Sequence, residues 1–196
     1  MEVVDVLLVK CLQKELGVKY YDREILRLAS DESGINEALF GKADEKLKST
    51  SLFKIAKKSF DGKVISPESD DFVSNDNLFN YQAKIIKQLA EEESCVIIGR
   101  CANYVLKNHK NAIRIFCYGE LEDCVKREME LNHHEEKESR KLIAKIDKNR
   151  ADYYKYYTNS NWSDARHYDM CINTSSLSYE EILGVVKSFI ELVNKR

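Results

Sequence analysis

Ser94-Cys-Val-Ile-Ile-Gly-Arg-Cys-Ala-Asn-Tyr-Val-Leu106 opens as a short apolar run, stops at Gly99-Arg100 and passes directly into a helical pattern. A continuous apolar run of this kind reads as a strand buried on both faces, and such strands belong to parallel sheets covered by helices. In those sheets ligands bind at the carboxyl ends of the strands, where strand hands over to helix. Gly99 lets the backbone turn tightly at that point. Arg100 follows at once, with an always-charged fork shaped for phosphate. The segment points to an α/β architecture and to an anionic, phosphorylated small molecule. The competing reading of Arg100 is a solvated surface charge.

Outward from this stretch, helices and strands alternate. Upstream, the spacing predicts helices over 3–16, 22–33 and 78–93 and a short strand over 18–21. Gly17 and Gly34 stand as the stops of the first two helices. Residues 41–77 are polar, loosely patterned and hold the only proline, Pro67; they read as a mobile, partly helical insert. Downstream, the pattern predicts a helix over 101–106, a buried strand over 112–118, helices over 121–131 and 136–157, and a strand over 170–173. A closing helix over 179–193 is expected to turn Ile182, Val185, Val186, Phe189, Ile190 and Val193 inward. Together the pattern predicts a mostly parallel sheet of about four strands flanked by helices.

Composition narrows the function classes. The 196 residues suffice for one sizeable core. With 33% charged residues and a net charge of -2, the chain lacks the basic excess of a nucleic-acid binder. No apolar run is long enough to span a membrane. Residues 1–9 contain Glu2 and Asp5 and lack a basic head, so they do not read as a signal peptide. None of the six cysteines forms a C-x-x-C pair, which favours free thiols in a reducing cytoplasm over disulfides or zinc. His133-His134-Glu135 reads as a solvated loop or helix end rather than a metal site, and no metal ligands are assigned.

Two further segments carry chemistry. Asp22 and Arg23 sit at a strand-to-helix junction, where Asp22 is either a helix cap or a ligand group. Asp147 and Arg150 are three apart on a helix and share a face. An acid that holds a sugar hydroxyl beside an arginine that holds a phosphate suits a nucleotide; the alternative is a surface ion pair. Arg140, Lys141, Lys145 and Lys148 add a basic surface that suits a lid over phosphate or a solvated face. Tyr153, Tyr154, Tyr156, Tyr157 and Trp162 read as packing rather than base stacking.

Taken together, Val18-Lys-Tyr-Tyr-Asp-Arg-Glu-Ile-Leu26, Cys95-Val-Ile-Ile-Gly-Arg-Cys-Ala102, Asp147-Lys-Asn-Arg-Ala-Asp-Tyr-Tyr154 and Tyr168-Asp-Met-Cys-Ile-Asn-Thr-Ser-Ser-Leu177 resemble the cytidylate kinase-like proteins. These are P-loop phosphotransferases of the nucleoside monophosphate kinase group. The resemblance runs from about Leu12 to the C-terminus. It implies a single domain over 1–196 with a P-loop NTPase-like parallel sheet, an acceptor-side insert at about 41–77 and a lid at about 132–157. It implies ATP and Mg as cofactors, a CMP-like nucleotide as partner and a cytoplasmic protein. By resemblance, Arg100 and Arg150 are the catalytic candidates. Asp22, Arg23, Arg100, Asp147 and Arg150 are the substrate-binding candidates.

One part of the family pattern is missing. A strand and a Gly-rich phosphate loop should come first, cradling phosphates with backbone N–H groups. No glycine precedes Gly17, and the loop positions fall on Glu2, Val3, Val4 and Asp5. The expectation is therefore a sheet whose central first strand is absent or replaced, through either a late start or a degenerate site. Two functions stay open: an ATP-dependent kinase acting on CMP or dCMP if the loop is supplied, and a non-catalytic nucleotide- or phosphate-binding protein. A ligand-free interaction module is the remote third.

Overall fold

The computed structural model describes residues 2–46 and 62–195. In chain order the elements are α1 (Glu2–Leu16), β1 (Lys19–Tyr21), α2 (Glu24–Ser33), α3 (Glu37–Lys46), α4 (Asn75–Glu92), β2 (Cys95–Ile97), α5 (Ala102–Val105), β3 (Ile115–Tyr118), α6 (Leu121–Asn132), α7 (Glu136–Thr158), β4 (Met170–Asn173) and α8 (Tyr179–Asn194). A single 3-10 turn, Ala165–His167, precedes β4. The class is α/β. The chain divides into two compact units, one of Met1–Tyr20, Ile113–Lys148 and Ser163–Arg196, the other of Tyr21–Ala112 and Asn149–Trp162.

The second of these units is organised on α4. Ser74 caps it by accepting from the Asn77 N–H, and Leu78, Phe79, Ala83, Ile86 and Leu89 follow at helical spacing, all buried. Against this face packs α2 through Ile25, Leu26 and Ala29. That helix stops at Gly34, whose φ of +72° is open to glycine at no steric cost and whose N–H bonds back to the Ser30 carbonyl at 2.8 Å. The C-terminal half of α7 closes the core with aromatics. Phe79 stacks on Tyr157 at 3.9 Å between centroids, and Tyr153 meets Tyr157 edge-on at 4.8 Å. Buried amides on α4 hold the chain that leads into it. Asn77 Oδ1 accepts from the Ile65 N–H and its Nδ2 donates to the Phe72 carbonyl, both at 2.7 Å. Asn80 Nδ2 donates to the Lys63 carbonyl at 2.6 Å. The expected insert over 41–77 thus begins inside α3 and ends as turns pinned to α4; its middle lies outside the described residues.

In the other unit β3 and β4 run parallel, with Ile115 beside Met170 and Tyr118 beside Asn173. Leu8 and Leu12 of α1, Ile172 of β4, and Ile182 and Val186 of α8 form its main buried cluster. A smaller one joins Cys124 and Val125 of α6 to Ile143 of α7. Ser178 and Glu181 start α8 with a reciprocal capping box.

Three expectations need correction. The strands do not form one sheet: among the described residues there are two two-stranded sheets, β1 with β2 and β3 with β4. Strands of three or four residues, each with one partner, leave β2 half-buried rather than fully enclosed. Glu2–Asp5, where the family's loop would fall, are the first turn of α1, in keeping with the helix expected over 3–16. Val185 points outward from α8, 45% exposed, because Ile182 and Val186 already occupy the inward stripe.

Candidate functional site

The site is built where β2 ends. Three consecutive residues there take left-handed backbone conformations: Gly99 at φ +66°, Arg100 at +55° and Cys101 at +55°. Glycine accepts this freely; for the two L-residues it costs roughly 1–2 kcal/mol each. The turn is closed by the Ala102 N–H donating to the Gly99 carbonyl at 2.9 Å, and the Cys101 carbonyl accepts from Tyr104 and Val105 to start α5. Cys101 is buried in the core and anchors the turn, while Arg100 stays half-exposed. Non-glycine residues held in this region cluster at functional sites, where packing maintains the strain.

The charge of Arg100 acts on groups of the aromatic core. Burial pushes the Cys101 thiol well above its ordinary range, and the Arg100 guanidinium opposes that shift. Burial likewise raises the Tyr153 phenol, with Tyr157 and Cys101 adding to it, and again Arg100 pulls it back. The positive charge of Arg100 thus acts on Tyr153 of α7. Gln82 of α4, 1% exposed, is the polar neighbour of the same phenol. Tyr154, one residue on, receives a 3.0 Å hydrogen bond from Asn103 Nδ2 of α5. These contacts bind the Arg100 turn to α7.

Arg150 stands one helical turn before Tyr153, on the same face of α7, half-buried and 6.0 Å from the Trp162 ring centroid. Asp147 lies one turn earlier, also half-buried. Asp22 and Arg23 follow β1. Asp22 is not the cap of α2. The N-cap is Arg23, without a side-chain cap bond, and the Asp22 carbonyl accepts from the Ile25 N–H at 3.4 Å. Asp22 is half-buried and Arg23 is exposed.

The basic surface of α7 is smaller than the sequence implies. Arg140 donates to Glu136 at 2.9 Å and to Glu122 at 2.8 Å, and these bonds hold its guanidinium firmly charged and occupied. At the α6–α7 junction His133 takes a left-handed C-cap conformation, and His134 Nδ1 lies 3.3 Å from Glu128 Oε1. Among the described residues no three His, Cys, Asp or Glu side chains gather as a metal site. Nor do Glu2–Asp5, where the family's loop would fall, make a cradle for ATP phosphates. A helical turn of backbone over Glu2–Asp5 does not wrap an anion as a glycine loop does.

The sequence flagged Gly99 and Arg100 but not the left-handed state of Arg100 and Cys101, for which an Arg-Cys pair carries no signal. Tyr153 was legible only as packing. It is packing, and its phenol also feels the charge of Arg100.

A family model described as the cytidylate kinase-like family matches residues 8–176, and the chain belongs to this family. Among curated proteins none matches it significantly. A crystal structure of an uncharacterized protein from Eubacterium ventriosum ATCC 27560 is similar to it, with 26% identity and a TM-score of 0.67. The likeness covers 94% of this chain and 90% of that one. No helix among the described residues is long and apolar enough to cross a membrane.

Proposed function

We propose that this chain binds a nucleoside monophosphate of the cytidylate class, with Arg100 and Arg150 on the phosphate and Asp22, Arg23 and Asp147 as further polar contacts to the acceptor. The observation that carries the reading is the left-handed Arg100–Cys101 turn at the carboxyl end of β2. It holds a permanent cation on strained backbone anchored by buried Cys101, at the strand end where α/β folds bind ligands. Family membership supports the ligand class. In the same reading the chain is one cytoplasmic domain of P-loop NTPase-like ancestry, with its insert at 41–77 and its lid at 132–157.

Phosphoryl transfer is mostly positioning and charge neutralisation, so it depends on a cradle for the donor phosphates. The helical Glu2–Asp5 turn, at the positions where the family's loop would fall, is not such a cradle. That observation favours acceptor binding without turnover over kinase activity. A coupled ADP-release assay with CMP, dCMP and UMP, run beside calorimetric titration of CMP, separates the two. The expected result is measurable binding with negligible turnover. Robust ADP release that requires CMP overturns the non-catalytic reading and means that another segment binds ATP.

A further inference from the structure

Helix α8 is apolar on two sides, and among the described residues of its unit only one of them is covered. Ile182 and Val186 are buried in their unit, with Leu183 and Ile190 packed beside them. On the other side Val185 is 45% and Leu192 61% exposed. With Phe189, Leu177 and Met170 they line a groove of about 640 Å³ that also includes Glu181, Gly184 and Ser188. A helix apolar around most of its circumference belongs in an interior, and contiguous exposed apolar surface marks an interaction site.

We propose that this groove is the contact face of a homodimer, in which a second copy of this chain lays its α8 antiparallel across the first, about a two-fold axis through Ser188. The sequence along the face is complementary to its own reversal. Glu181 and Lys195 stand seven residues before and after Ser188, so the axis pairs each acid with the partner's base. Gly184 and Leu192 stand four before and after, so a large side chain meets a bare backbone. Gly184 and Ser188, one turn apart, let the two helices approach closely at the centre. A parallel arrangement would instead set Glu181 against Glu181 and Lys195 against Lys195. Two-fold pairing of one patch with itself is the commonest closed symmetry. Glu181 keeps this role while capping its own helix, since one oxygen accepts from the Ser178 N–H at 2.8 Å and a carboxylate accepts several bonds.

Sedimentation equilibrium of the full chain tests the proposal, with Leu192→Asp, Lys195→Glu and Ser188→Cys as variants. Leu192 and Lys195 are exposed, so both changes should leave the fold intact, which circular dichroism verifies. The proposal expects a concentration-dependent dimer that dissociates at least tenfold more readily in Leu192→Asp and measurably more in Lys195→Glu. Ser188→Cys, made with exposed Cys171 changed to Ser, should cross-link to a dimer under mild oxidation, and Glu180→Cys in the same background should not. A chain that stays monomeric at high micromolar concentration overturns the proposal. So does a dimer that ignores Leu192→Asp and fails to cross-link at 188, because another face then makes it.

Discussion

Arg114 and Asp169 lock the starts of the two parallel strands β3 and β4 together. Arg114 Nε donates to Asp169 Oδ2 at 3.0 Å and Nη2 to Oδ1 at 2.7 Å. The Arg114 N–H also donates to Oδ2 at 2.8 Å, and the Asp169 N–H returns a bond to the Arg114 carbonyl at 2.8 Å. A bidentate pair that also ties two backbones fixes the register in a sheet too small to fix it by strand length.

This arrangement gives a pH signature. The hydrogen bonds from Arg114 hold the Asp169 carboxyl below its ordinary range. A depressed folded pKa stabilises the protein above the unfolded value, about 3.9, and that contribution is lost as pH falls through the folded value. Asp169→Asn should therefore cost about 1–2 kcal/mol near pH 7, discounted for partial exposure, and the deficit should shrink below about pH 4. Urea unfolding of both proteins across pH 3–7 is the check. A deficit that stays constant with pH contradicts the ion-pair account.

The left-handed turn predicts a trade between stability and binding. Arg100→Gly relieves a side chain at φ +55° and should raise stability by about 0.5–1 kcal/mol, the steric gain being partly offset by the entropy of glycine. The same change should weaken nucleotide binding at least tenfold. Arg100→Ala keeps the left-handed strain while it removes the guanidinium. If Arg100→Gly is no more stable than Arg100→Ala in thermal melts, the strain argument fails.

Phe79 predicts how firmly α7 is held. It is 1% exposed and stacked on Tyr157, so Phe79→Ala should cost about 3–5 kcal/mol in urea unfolding. A loss under about 1 kcal/mol would mean that the aromatic core repacks freely.

Much of the fold was legible because periodicity carried it. Met170–Asn173 matches its strand, α4 and α7 match to within a few residues, and the glycine stop of α2 is where the sequence puts it. What failed was the assembly of strands into a sheet, which depends on partners far away in sequence that no local pattern names. The helix-cap reading of Asp22 failed for a smaller reason. Helix α2 begins one residue later than the Asp signal implies, so Arg23 takes the cap position. Val185 failed because apolarity on both sides of α8 cannot say which side is covered. Of the site, Gly99 and Arg100 were readable as a strand end bearing a cation. The conformation of Arg100 was not, since packing around Cys101 imposes it.

The most direct test of the central claim is a comparison of CMP and cytidine by calorimetry, on the full chain and on Arg100→Ala. A charge-assisted phosphate contact contributes roughly 1.5–3 kcal/mol, about tenfold or more in affinity. The account predicts that the full chain prefers CMP over cytidine by at least that factor and that Arg100→Ala loses most of the preference. Equal affinity for the two ligands, or a preference untouched by Arg100→Ala, would contradict it.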